Sequence, residues 1–123
     1  MTPTELKDLA EWSAEFLKLE KFNTAGNIWY LRCIGERFTV YPEDFFDKEP
    51  DRYKGFAPIL MHLGKREMEK RGFHWQAIHH AMFGYEFRVT DNSGVVLSEI
   101  KDRNEYIAFW SAAHEAMKGG SDE

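Results

Sequence analysis

The sequence predicts an α+β protein, three helices packed on an antiparallel or mixed sheet in a layered α/β/α sandwich. Three observations lead there. Apolar residues recur at helical spacing in three stretches, at the start, the middle and the end of the chain. Between them lie two sets of strand-like segments, grouped rather than alternating singly with helices, which favours hairpin pairing over a parallel sheet. Clusters of Gly, Pro, Asn and Asp mark the joints.

The opening Thr2-Pro3-Thr4-Glu5 reads as a helix start, with Thr2 as cap, Pro3 at the first helical position and Glu5 closing a capping box. Leu6, Leu9, Ala10, Ser13, Phe16 and Leu17 then share one face of a helix over residues 3–20, before the turn-rich Asn23-Thr24-Ala25-Gly26-Asn27. Ile28 to Ile34 reads as a largely covered strand, and Gly35-Glu36 turns it into a hairpin partner over Arg37 to Tyr41. From Glu43 to Phe56 the chain is irregular, with Phe45, Phe46 and Tyr53 among charged residues. A loop of that length in a small domain is often functional.

A second helix starts at Pro58 and stops at Gly72, which suits the left-handed position after a last turn, with Phe73 folding back onto it. Phe73 to Met82 reads as a strand. Tyr85, Phe87 and Val89 alternate with Glu86, Arg88 and Thr90 as a half-buried strand does. Asp91-Asn92-Ser93-Gly94 is a tight turn, and Val95 to Ile100 returns as the hairpin partner. A second capping box, Asp102 to Glu105, opens a third helix whose core stripe is Tyr106, Phe109, Trp110, Ala113 and Met117, ending at Gly119-Gly120.

A chain of 123 residues fits one domain, here residues 1–120, followed by a frayed tail at 121–123. Aromatic residues make up 15% of it, an excess that implies a bulky core, a lined pocket, or both. The net charge of −5 argues against a nucleic-acid binder, because Lys65, Arg66, Lys70 and Arg71 are interleaved with Glu67 and Glu69 instead of forming a basic surface. The lone Cys33 forms no internal disulfide and reads as a small buried apolar group. With no signal-like or membrane-spanning apolar run, a cytoplasmic location without membrane contact is expected.

No motif for catalysis, metal or cofactor stands out. On an extended strand His79 and His80 point to opposite faces, while His74 and His80 share a face about 20 Å apart. No single ion is held by either pair, and neither a metal nor another cofactor is expected. A hydrolase built on His74, His79 or His80 is the third reading, behind two binding readings. The first is a ligand site in which Trp29, Tyr30, Tyr41, Phe45 and Trp75 offer aromatic faces to stack a base while Arg32, Arg37, Arg88 and His79 take phosphate, for a nucleotide-derived small molecule. The second is a protein-contact patch at Phe45, Phe46 and Tyr53 for a host protein. Homodimerisation is compatible with aromatic surface in excess of one small core.

The helical patterns Glu5-Leu-Lys-Asp-Leu-Ala-Glu-Trp12, Phe56-Ala-Pro-Ile-Leu-Met-His-Leu63 with Met68-Glu-Lys-Arg-Gly72, and Phe109-Trp-Ser-Ala-Ala-His-Glu-Ala-Met117 resemble those of small phage and prophage proteins of the phage ABA-sandwich domain type. The aromatic segment from Asn27 to Tyr53 departs from that pattern, and no site residue carries over. The resemblance implies a phage origin, action in the bacterial cytoplasm and a non-enzymatic role. Such a role is counter-defence by covering a host protein or by sequestering a nucleotide immune signal.

Overall fold

A computed structural model gives the structure, which describes residues 1–22, 28–33, 35–46 and 56–120. In chain order the elements are α1 (Pro3–Phe16), β1 (Glu20–Lys21), β2 (Trp29–Cys33), β3 (Glu36–Val40), a 3-10 turn at Pro42–Phe45, α2 (Phe56–Lys70), β4 (His74–His80), β5 (Gly84–Thr90), β6 (Val96–Asp102) and α3 (Glu105–Gly120). The α+β class is borne out, with helices packed on antiparallel strands. The strands, however, form two sheets, in the orders β1-β2-β3 and β4-β5-β6.

Most helix ends follow their local signals. Thr2 accepts a hydrogen bond from the Glu5 N–H at 3.1 Å, and its hydroxyl donates to the Glu5 carboxylate. After α2, Gly72 takes φ 84°. The Phe73 N–H then bonds the Met68 carbonyl at 2.9 Å and the Gly72 N–H bonds the Glu69 carbonyl at 3.1 Å, the paired bonds of a Schellman cap. Helix α2 begins at Phe56, so Pro58 sits in the first turn, where its missing N–H leaves no bond unmade.

Two ends differ from expectation. Helix α1 stops at Phe16 because Lys18 takes the left-handed position (φ 57°), giving the same cap through Leu19 N–H to Ala14 and Lys18 N–H to Glu15, both 3.0 Å. A lysine there carries none of the signal a glycine would. At α3 the cap is Asn104, whose side-chain carbonyl accepts from the Tyr106 and Ile107 N–H groups at 2.9 and 3.2 Å. Asp102 instead receives the Asn104 N–H at 2.9 Å. It braces the cap from the end of β6.

The core is a run of edge-to-face rings joining the sheets through the helices. Trp29 on β2 meets Phe45 of the 3-10 turn at 5.9 Å, and Phe45 meets Trp110 of α3 at 5.8 Å. Trp110 meets Phe109 at 4.9 Å, and Phe109 meets Phe87 on β5 at 5.5 Å. All five are fully buried. Such pairs add to the burial of large apolar area, the main favourable term of folding. Helix α2 fits close beneath them at Gly64, where a Cβ would fall 2.7 Å from the Trp110 ring. The two sheets are thus joined through the 3-10 turn and α3, in place of one sheet covered on both sides. Each sheet keeps an outer face.

Candidate functional site

The residues that the sequence suggests for a ligand do not converge. Trp29 is 1% exposed and belongs to the core. Trp75, half-buried on β4, has its ring occupied by the Lys65 ammonium at 4.2 Å. Burial lowers the Lys65 pKa, and nearby Glu105 opposes the shift. His79 is stacked on Tyr85 at 4.8 Å on the inner side of the second sheet, whereas Arg88 lies on the outer side. Tyr41 precedes the 3-10 turn, its N–H donating to the Asp44 carboxylate at 2.8 Å. Arg32 and Arg37 face each other across β2 and β3. Two sheets and both faces of one of them separate the set.

The expected protein-contact patch also needs correction. Phe45 is 0% exposed and Phe46 8%, because the 3-10 turn drives both rings between α1, α2 and α3. Tyr53, the side chain of Cys33, the Asn23–Asn27 turn and the 121–123 tail lie outside the described residues.

The first sheet does gather an aromatic and cationic surface, from part of the expected set, Tyr30, Arg32 and Arg37, with Phe22 added. Alternation along β2 sends Trp29 and Leu31 inward and Tyr30 and Arg32 outward. Cross-strand pairing sets Thr39 opposite Tyr30 and Arg37 opposite Arg32, and β1 brings Glu20 alongside Tyr30. Phe22, 49% exposed, packs its ring 5.4 Å from Tyr30. The Arg37 guanidinium lies 4.4 Å over the same Tyr30 ring. Arg32 pairs with Glu20 at 3.1 Å, and Arg37 reaches the same carboxylate at 4.0 Å. Phe22 and β1 carry no sequence signal, because a two-residue strand has no periodicity to detect.

The outer face of the second sheet is polar and holds one shielded charge. Glu86 at the centre of β5 is 2% exposed, covered by neighbouring side chains and not by depth. Its carboxylate accepts from His80 Nε2 at 2.9 Å and Arg88 Nε at 2.7 Å, with Lys101 Nζ at 3.9 Å. An ionised carboxylate only accepts, so Nε2 carries the imidazole proton in this bond. The His80 bond, opposed by burial and assisted by Glu99 and Arg88, holds the Glu86 carboxyl below the usual carboxylate range. A depressed folded value means stability that is present above the ordinary pKa of 4.5 and lost as pH falls through the lower folded one. Glu86→Gln is therefore expected to melt below the parent at neutral pH, with the gap closing as pH drops below the usual carboxylate range. Circular-dichroism melts from neutral to acid pH check this; a gap constant with pH would refute it.

Other polar features are dispersed. His74 bonds the Asn92 side chain at 3.1 Å, and His62 is exposed on α2. His114 packs on Trp12 at 4.8 Å with its pKa lowered by burial. The histidines of β4 divide between the two faces of its sheet, as a strand requires. Among the described residues no group of three or more His, Cys, Asp or Glu could hold a metal ion. No described helix is long and apolar enough to cross a membrane. A groove of about 580 Å³ runs between α1, the 3-10 turn and the start of α3. Its walls are mainly Pro3, Leu6, Pro42, Phe46 and Ile107, and it includes none of the arginines. Comparison of the chain with protein-family models, with curated proteins and with solved structures finds no match.

Proposed function

We propose that this chain is a binding protein that docks a protein partner on the outer face of the β1-β2-β3 sheet. The observation that carries the reading is the exposed cluster of Phe22, Tyr30, Arg37 and Arg32. Aromatic and Arg side chains dominate protein interfaces, since they offer large contact area together with planar, directional donors. The cluster lies on open sheet surface, whereas small-molecule sites wrap most of their ligand. Two arginines against one glutamate make it locally cationic on a chain of net charge −5, so the matching surface carries carboxylates. The resemblance to phage proteins makes a bacterial host protein the partner class, blocked by occupation of its surface.

A nucleotide-derived signal is the second reading, favoured by the seat of Arg37 on Tyr30. A base can replace the guanidinium on the ring while Arg32 and Arg37 take the phosphate.

The test combines capture and calorimetry. The full chain is expected to retain one partner from lysate of the cells that express it. A Tyr30→Ala/Arg37→Glu variant with an unchanged melt should lose about 2 kcal/mol or more of that affinity, roughly thirtyfold. Equal retention by the variant overturns the docking face. Saturable heat with a nucleotide, abolished by Arg32→Ala/Arg37→Ala, replaces the first reading by the second.

A further inference from the structure

We infer that β6 is a dimerisation edge, pairing antiparallel with β6 of a second copy to make one continuous six-stranded sheet. Among the described residues β6 pairs with β5 alone, on one side, and ends the β4-β5-β6 order. Such an edge presents a row of backbone donors and acceptors ready for another strand. This one is seven residues long without a proline, and Val96 and Leu97 on it are 53% and 37% exposed. A solitary lysine on an edge strand usually repels pairing. Here Lys101 shares its face with Glu99 two residues earlier, and the edge complements itself.

Register decides the matter. A two-fold axis at Ile100 sets Glu99 opposite Lys101 of the second copy, and Lys101 opposite its Glu99. Sliding the pairing by one step in either direction on the same face sets Glu99 against Glu99 or Lys101 against Lys101. A slip by one residue of pairing mixes the inner and outer faces and loses the apolar match. The favoured register also extends a pattern already present within the chain. Across β5 and β6, Glu86 faces Lys101 and Arg88 faces Glu99, with contacts of 3.9 and 3.6 Å. In the dimer each row reads Glu86, Lys101, then Glu99 and Arg88 of the second copy, alternating in sign across the axis. On the inner side the half-buried Ile100 meets itself; Leu97, at the register shift beside Val96, lies on the outer side with Glu99 and Lys101. This pairing uses the second sheet only and is independent of the docking face on the first.

Sedimentation velocity of the full chain tests the inference. The parent is expected at twice the 14.5 kDa chain mass. Glu99→Lys, at an exposed position, should weaken association by about tenfold or more, since both inter-chain pairs become like-charged. Lys101→Glu should do the same, and an equimolar mixture of the two variants should recover the dimer, because opposite charges then face each other in both pairs. Should Lys101→Glu fail to fold beside Glu86, hydrogen exchange of the parent decides: amides of β6 gain protection as concentration rises and those of β4 do not. A parent chain monomeric at millimolar concentration overturns the inference. So does a dimer that Glu99→Lys leaves intact.

Discussion

Trp110→Ala is expected to lower stability by about 3–5 kcal/mol. The indole is fully buried and touches Phe16, Phe45 and Phe109. It also covers Gly64 of α2. Removing it opens the junction of three helices and the link between the two sheets, and such a site has little freedom to collapse. A domain whose whole stability is about 5–15 kcal/mol loses a large part of it. Trp110→Phe should cost far less, about 1–2 kcal/mol, since a ring remains. Among the described residues the indole N–H has no acceptor, so its loss breaks no hydrogen bond. Urea unfolding of both variants measures the difference. A loss under about 1 kcal/mol for the alanine variant would mean that the ring chain does not hold the layers together.

The second large effect is at Gly84, which opens β5 with φ 90°. A Cβ there would fall 2.6 Å from Arg103 Cα and 2.7 Å from the Asp102 carbonyl oxygen, both backbone atoms that cannot swing aside. Gly84→Ala thus combines a left-handed alanine with a clash at the joint of β6 and α3, for an expected loss of about 3 kcal/mol or more. Gly94 is the control. It has a similar φ of 88°, and nothing lies within 4 Å of the place a methyl would take, so Gly94→Ala carries the backbone cost alone. That cost is about 1–2 kcal/mol. Equal losses at the two positions in chemical denaturation would refute the role given to the Arg103 contact.

Much of the fold is legible where the signal is local. Gly72 and Phe73 announce their cap within a few residues, and the alternation of Tyr85, Phe87 and Val89 marks both the strand and its inner face. Lys18 as a left-handed cap, Asn104 in place of Asp102, and the short β1 are also local features. They use residues to which local pattern assigns little weight.

The candidate surface is only half legible in the same way. Arg32 and Arg37 stand out in the sequence, and pairing places them side by side with Tyr30. Their expected companions lie elsewhere: Trp29 and Phe45 in the core, Trp75 under Lys65, and Arg88 against the shielded Glu86. An aromatic residue in a loop and one in a core have the same local pattern; contacts far along the chain separate them.

Helices, hairpins, the turns between them and the α+β class are written in the order of the residues, because caps, turn residues and periodicities of two and 3.6 act over a few positions. Long-range packing alone fixes the rest: that the strands form two sheets, that Phe45 links them through Trp110 and Phe109, and that Glu86 lies beneath His80, Arg88 and Lys101. Those outcomes rest on which surfaces meet, and burial rewards a fit between distant segments that no short stretch of chain encodes.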